Sequence, residues 1–167
     1  MVTAVQKSLV QASWQELAPL SHHVAELFYD RLFELDPSLE DLFPANLTAQ
    51  GAKLMKAIGM LVRGLDELER VTPMLQELGR RHVDYGTRPG HYVTVGKALL
   101  WTFEQSMAEE FTPRLKEAWA DVFALVSSTM IEAASEVAAS STREAGGRDG
   151  ASRRNLDAAP RSIRQVG

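Results

Sequence analysis

The chain has 167 residues, of which 45% are apolar and 24% are charged, and its net charge at pH 7 is −4. This length fits one globular domain with one site and leaves no room for two ordinary catalytic domains. The absence of cysteine excludes disulfides, iron–sulfur clusters and thiolate metal sites, so a metal would depend on histidine, carboxylates or a prosthetic group.

The two ends of the chain differ in composition. Residues 1–17 mix polar with apolar side chains, unlike a secretion signal, and no apolar run approaches the roughly 18 to 20 residues of a membrane span. We therefore expect a cytoplasmic protein without membrane insertion. Residues 139–167 contain six Arg and three acidic residues among many Gly, Ser and Ala, which predicts a disordered basic tail; a partner-binding arm is the alternative. The first 138 residues then carry −7, which argues against a nucleic-acid partner.

Apolar residues between positions 3 and 138 recur at intervals of three and four. This spacing predicts amphipathic helices and no strand. Thr3 and Gln6 have the pattern of a capping box, so the first helix is predicted to begin there and to end near Pro19.

The other helices are bounded by proline and glycine. A residue that precedes proline avoids the helical region, so the second helix ends at Asp36, and a short turn covers residues 37–43. A loop with two glycines and a proline, residues 85–90, interrupts the later part of the chain. The predicted helices after the first are 21–35, about 48–65, about 73–84, about 90–108 and about 112–138.

The helix predicted for 73–84 carries a histidine that shares one face with two earlier leucines, so His82 is expected to point inward. A lone inward histidine is more often held by a hydrogen bond in the core than bound to a metal. An iron ligand is the other interpretation, because a porphyrin supplies four ligands and one neutral imidazole a fifth. His91 and the adjacent pair His22 and His23 form no convincing two-histidine zinc site with His82.

Four segments of the chain resemble one family: LFYDRLFELDPSLEDLF, GAKLMKAIGMLVRGLDEL, LGRRHVDYG and HYVTVGKALLWTFEQ. They are similar to bacterial single-domain globins, to the globin half of flavohaemoglobins and to relatives called hemin receptors, over residues 1 to about 138. The resemblance implies an all-α globin fold whose helices pack at steep angles around a pocket for haem b, iron protoporphyrin IX.

The resemblance also implies roles for individual residues around the iron. His82 in LGRRHVDYG corresponds to the proximal iron ligand, and Phe43 to the phenylalanine that stacks on the porphyrin. On the distal side, Tyr29 and Gln50 correspond to the residues that donate hydrogen bonds to a bound ligand, and Leu54 to the apolar residue that narrows the pocket.

Further residues follow from the same resemblance. Tyr92 corresponds to a tyrosine that acts on the proximal histidine, and Val95 is assigned to the cofactor contacts. The glutamate that accompanies this tyrosine has no clean match, because the expected position holds an alanine, Ala134, with Glu132 and Glu136 two residues to either side. Lys53 and Arg81 could reach the haem propionates, although charges on an exposed helix face are the simpler interpretation.

The function implied is reversible, high-affinity binding of O2, and of NO, in oxygen binding, transport or scavenging, or in nitric oxide detoxification. Nitric oxide dioxygenation would need a separate reductase, since 167 residues cannot also contain a flavin and nicotinamide module. Haem trafficking or gas sensing through a partner protein is an alternative. A cofactor-free helical interaction bundle is a third hypothesis.

Overall fold

The computed structural model describes the backbone of residues 1–151 and the side chains of residues 1–143. Its described residues form helices and connecting turns without a strand, so the prediction of an all-helical chain is confirmed. The six α-helices are α1 (Ala4–Leu17), α2 (Ser21–Leu35), α3 (Leu47–Arg63), α4 (Leu68–Asp84), α5 (Pro89–Met107) and α6 (Pro113–Ala151). Short 3-10 helices connect them at Ala18–Leu20, Pro37–Leu42, Leu65–Glu67 and Ala108–Glu110.

Side-chain caps explain where the early helices begin. The Thr3 hydroxyl accepts from the backbone N–H of Gln6, and the Gln6 side chain accepts from the Thr3 N–H at 2.9 Å, so the predicted capping box is confirmed. Asn46 caps α3 by accepting from the N–H of Ala49 at 3.0 Å.

The start of α4 differs from the sequence prediction. Proline favours the first position of a helix, and the helix was therefore predicted to begin at Pro73, but α4 begins at Leu68 and contains Pro73 in its interior. The extra turn buries Val71 and packs Leu68 against the core, which offsets the backbone hydrogen bond that a proline removes.

The last helix is also longer than predicted. The predicted end near residue 138 is wrong, because residues 139–151 continue α6. The disordered basic tail at 139–167 stays a prediction. Alanine is the commonest residue of 132–145, with five of the 14 positions, and its high helix propensity favours the extension of α6 beyond its buried part. The rest of the predicted tail, residues 152–167, lies outside the described residues. Internal contacts group Met1–Ala134 as one compact unit and the residues from Ser135 onward as a second.

One helix among the described residues is long and apolar enough to cross a membrane by length and composition. It is the part of α6 from Pro113 to Arg143, whose most apolar window has a mean hydropathy of 1.4. Such a segment is weak evidence for a span, because core helices of soluble proteins meet the same criterion. The absence of membrane insertion stays a prediction.

The core of the first unit joins helices that are distant in sequence. Trp119 of α6 donates from its indole Nε1 to the hydroxyl of Ser13 in α1 at 3.0 Å, and its ring lies 4.7 Å from that of Phe103 in α5. Gly79 lets α4 approach the backbone of α6 at Met130, where a Cβ would lie 2.3 Å from the carbonyl oxygen. These contacts fix α4 and α5, the two helices that carry His82 and Tyr92.

Candidate proximal and distal site

His82 lies in the last turn of α4, on the face that also carries Leu75 and Leu78. Its Nδ1 lies 2.7 Å from the carbonyl oxygen of Leu78. Because a carbonyl only accepts, Nδ1 must carry the proton, and the lone pair of the neutral ring is then on Nε2. Burial lowers the pKa of His82, against the smaller opposing effect of the bond to Leu78. The half-buried imidazole is therefore held neutral with one nitrogen available to a metal.

Two tyrosine rings flank this imidazole. Tyr92 of α5 stacks on it with ring centroids 6.2 Å apart, and Tyr85 meets it edge-on at 5.7 Å. The Tyr92 hydroxyl is enclosed and has no hydrogen-bond partner in the described part of the chain, and burial raises the pKa of Tyr92. Sequence reasoning missed Tyr85 as a neighbour of the site. Its position three residues after His82, one helical turn onward, was the available signal.

A second aromatic cluster surrounds Tyr29 in α2. The Tyr29 ring centroid lies 5.0 Å from that of Phe28 and 5.4 Å from that of Phe43, and Phe33 contacts both Tyr29 and Phe43. Tyr29 is only 4% exposed, and burial raises its pKa to about 12. Its hydroxyl therefore stays protonated at any physiological pH and can donate a hydrogen bond. Phe33 was not predicted as a site residue, although it lies one turn after Tyr29 on the same helix.

Helix α3 passes beside Tyr29 at Gly51, where a Cβ would lie 3.8 Å from the tyrosine ring. Gln50 and Leu54, the predicted distal residues of this helix, are half-buried. Neither the Gln50 amide nor the Tyr29 hydroxyl forms a hydrogen bond with another described residue. Two donors thus remain available on neighbouring helices.

The turn after His82 connects the two clusters. Gly86 adopts φ +79°, which permits the sharp reversal between α4 and α5. A Cβ at Gly86 would lie 3.6 Å from Leu42, the residue that precedes Phe43. This contact brings the turn after His82 close to the segment that carries Phe43.

The remaining predicted residues occupy different positions. Val95 is half-buried one turn after Tyr92, and it packs against the core. Lys53 is exposed on α3. The exposed Arg81 pairs through Nε with Glu77 at 3.1 Å, which favours its interpretation as a charge on an exposed helix face over a propionate contact. Glu132 is exposed and is not a partner of the Tyr92 hydroxyl, while Glu136 belongs to the second unit.

This helix order, with one inward imidazole on α4 and an aromatic cluster contributed by α2, is the arrangement that defines a globin. The globin family model matches residues 26–130, and the chain belongs to this family. The predicted all-α globin fold is therefore confirmed.

The relatives include both animal and bacterial proteins. The chain is 28% identical over 143 residues to a neuroglobin of Tetraodon nigroviridis, covering 77% of this chain and 90% of the relative. It is 30% identical over 138 residues to a neuroglobin of Danio rerio, covering 74% and 87%. It is also 30% identical over 134 residues to a flavohemoprotein of Chromobacterium violaceum, covering 78% of this chain and 33% of the relative. The match to neuroglobins was not anticipated from the sequence, whereas the match to the globin part of flavohemoproteins was.

Proposed function

We propose that the protein holds haem b through Nε2 of His82 and binds O2, and NO, on the side that faces Tyr29. The observation that carries this proposal is the hydrogen bond between Nδ1 of His82 and the carbonyl oxygen of Leu78. It fixes the tautomer and ring orientation of the imidazole, the two properties that an axial ligand requires.

The surrounding residues fit a flat apolar group. Phe43, Leu54, Leu78 and Val95 pack against the core on one side and keep part of their surface accessible on the other. An apolar ring system lying on these side chains would remove that surface from water, which stabilises the bound state. Membership of the globin family, and the haem in the name flavohemoprotein, support the same cofactor.

The distal residues would select and retain a ligand that accepts hydrogen bonds. Ferrous haem binds diatomic gases and shifts electron density onto O2. The Tyr29 hydroxyl and the Gln50 amide would each donate to such a ligand, and a hydrogen bond to a charged acceptor contributes about 1.5–3 kcal/mol. We therefore infer slow O2 release, which suits oxygen scavenging or chemistry on the ligand better than bulk transport.

The proximal residues would hold the imidazole in place. The Leu78 carbonyl oxygen accepts a hydrogen bond from the protonated Nδ1 of His82, and the Tyr92 ring stacks on one face of the imidazole. The exposed ammonium of Lys53 could reach a propionate at the pocket mouth by extending its flexible stem.

Haem retention tests the assignment of His82. Apoprotein is titrated with hemin, and the Soret band and the ferrous spectrum are recorded for the wild type and for His82→Ala. We expect severe loss of haem retention in His82→Ala. The control is His23→Ala, which removes an exposed histidine and should behave as the wild type. If His82→Ala retained haem with an unchanged ferrous spectrum, another residue would be the ligand.

We further propose that the physiological role is O2 binding or nitric oxide detoxification in a bacterial cytoplasm. The chain spans about a third of the length of the flavohemoproteins that it matches. Dioxygenation of NO in many cycles requires a source of electrons, for which we propose a reductase partner. The test measures NO consumption by the haem-loaded protein in the presence of O2 and a generic reductase. Rapid multiple turnovers would support an enzyme, and a single stoichiometric burst would support a binding protein. Transfer of haem to apomyoglobin within seconds would instead favour haem trafficking.

A further inference from the structure

A cavity of about 390 Å³ lies between the end of α1, the start of α2 and the outer face of α3, and we call it the α1–α3 groove. Its α3 residues are Thr48, Ala52, Met55, Lys56, Gly59 and Arg63. With 3.6 residues per turn, these side chains point away from the face of α3 that carries Gln50 and Leu54. The groove is therefore separate from the candidate haem site.

The lining of the groove is apolar on its floor and cationic at its rim. Ala18, Ala25 and Met55 contribute small or flexible apolar surface, while Lys56 and Arg63 are exposed lysine and arginine side chains. Neither cation forms an ion pair with another residue among positions 1–143. The third basic group in the lining, His22, lies 3.5 Å through Nε2 from the Glu26 carboxylate, which is not itself a lining residue.

A buried donor also opens on the groove. Trp14 is only 8% exposed, and its indole nitrogen donates to no residue in the described part of the chain, in contrast to that of Trp119. A Cβ added to Gly59 would lie 3.3 Å from the Trp14 Nε1 and 3.4 Å from the Arg63 Nη1. The absence of a side chain at Gly59 thus lets the unpartnered Trp14 N–H and the Arg63 guanidinium approach the same point.

We propose that the α1–α3 groove binds an amphipathic carboxylate, an organic monoanion with a short aliphatic body. The carboxylate would accept from the Trp14 indole N–H and from Arg63, with Lys56 adding a second positive charge. The aliphatic body would cover Ala18, Ala25 and Met55. The cavity is near the lower end of the size range of small-molecule sites, which favours a ligand of a few carbon atoms over a cofactor or a protein segment. This proposal does not depend on the role of His82.

Octanoate is the probe, and the indole N–H resonance of Trp14 in the uniformly labelled protein of 167 residues is the reporter. The chain has three tryptophans, so Trp14→Phe assigns this resonance by its disappearance. We expect a saturable shift of the Trp14 signal with octanoate. Acetate and inorganic phosphate lack the aliphatic body, and octanol lacks the negative charge. All three should therefore bind at least about tenfold more weakly than octanoate.

Two variants and one control identify the site. Arg63→Gln removes the guanidinium and Gly59→Met fills the space beside it, and each should weaken octanoate binding by about tenfold or more. Arg70→Gln makes the same charge change at an exposed residue that pairs with Glu67, outside the groove, and should leave the affinity unchanged.

The proposal is overturned if the Trp14 resonance shows no saturable shift, or if Arg63→Gln and Gly59→Met bind octanoate as the wild type does. Equal weakening in Arg70→Gln would also overturn it, since that result would indicate non-specific attraction by positive charge. Tighter binding of inorganic phosphate than of octanoate would replace the amphipathic carboxylate with a simple anion and contradict the role of the apolar floor.

Discussion

Replacement of Tyr29 by phenylalanine removes one hydroxyl and keeps a ring that is packed against other aromatic rings. The Tyr29 side chain is 4% exposed, and its centroid is 5.0 Å from that of Phe28 and 5.4 Å from that of Phe43. The hydroxyl contributes no hydrogen bond within the described chain. Unlike the enclosed Tyr92 hydroxyl, it keeps some accessible surface and can be hydrated in the ligand-free protein, so Tyr29→Phe is expected to unfold with a free energy within about 1 kcal/mol of the wild type.

The same substitution should weaken ligand retention much more than it changes stability. A donor hydroxyl contributes about 1.5–3 kcal/mol toward a charged acceptor, and about 1.4 kcal/mol corresponds to a factor of ten. We therefore expect O2 to dissociate from Tyr29→Phe about ten to one hundred times faster. Stopped-flow mixing of the O2-saturated ferrous protein with excess CO measures this rate, and urea denaturation of the ligand-free protein measures the free energy of unfolding.

Tyr85→Phe is the matched control, because it makes the same chemical change at a tyrosine that is 57% exposed. It should leave both the O2 dissociation rate and the free energy of unfolding unchanged. A dissociation rate for Tyr29→Phe within twofold of the wild type would refute the reasoning and remove this hydroxyl from the distal site. A large loss of stability would show instead that the hydroxyl has a structural partner.

Three further predictions concern stability and are measured by urea denaturation. Burial raises the pKa of Tyr29 from 10.0 to about 12, so the tyrosine loses its proton at a lower pH in the unfolded chain than in the folded protein. The free energy of unfolding of the wild type relative to its phenylalanine variant should therefore be constant below pH 10 and fall by at most about 1.4 kcal/mol per unit between pH 10 and 12; no difference in that window would contradict the burial. Gly79→Ala should destabilise by about 1–3 kcal/mol because its Cβ would meet the backbone of Met130, whereas Gly90→Ala, with open space, should stabilise by up to about 1 kcal/mol; equal effects would exclude the close approach. Ser13→Ala should cost about 1–3 kcal/mol by leaving the Trp119 indole N–H unpaired, and a neutral result would mean that water replaces the hydroxyl.

Most of the fold could be predicted because local signals are strong where a helix has one buried face. The capping box at Thr3 and Gln6 and the stop at Asp36 before a proline were confirmed by the structure. The start of α4 could not be predicted in the same way. Pro73 could begin a helix, or it could lie inside one at the cost of a backbone hydrogen bond. The burial of Val71 by tertiary contacts decides for the helix interior.

The site could be predicted only in part for a related reason. The spacing of His82 from Leu78 places both on one face, but the bond from Nδ1 to the Leu78 carbonyl, which leaves Nε2 available, depends on a rotamer that periodicity does not specify. The contact between Tyr85 and His82 depends on the turn at Gly86. The contact between Phe33 and Phe43 depends on the path of the chain after α2. The roles assigned to all the predicted site residues stay predictions: Tyr29, Phe43, Gln50, Lys53, Leu54, His82, Tyr92 and Val95.

Helix α3 borders two different environments, and a glycine determines how closely it approaches α2 between them. A Cβ at Gly51 would lie 2.9 Å from the Cβ of Ala25, closer than real Cβ atoms come, so any other residue would force the two helices apart. Ala25 lines the α1–α3 groove, while Tyr29, one turn later on α2, contacts the opposite side of the same interface. The position of the Tyr29 ring beside α3 is therefore set by the distance between two helix backbones, and no described residue forms a hydrogen bond with the Tyr29 hydroxyl. Because packing alone positions this hydroxyl, it is free to donate a hydrogen bond to the proposed ligand.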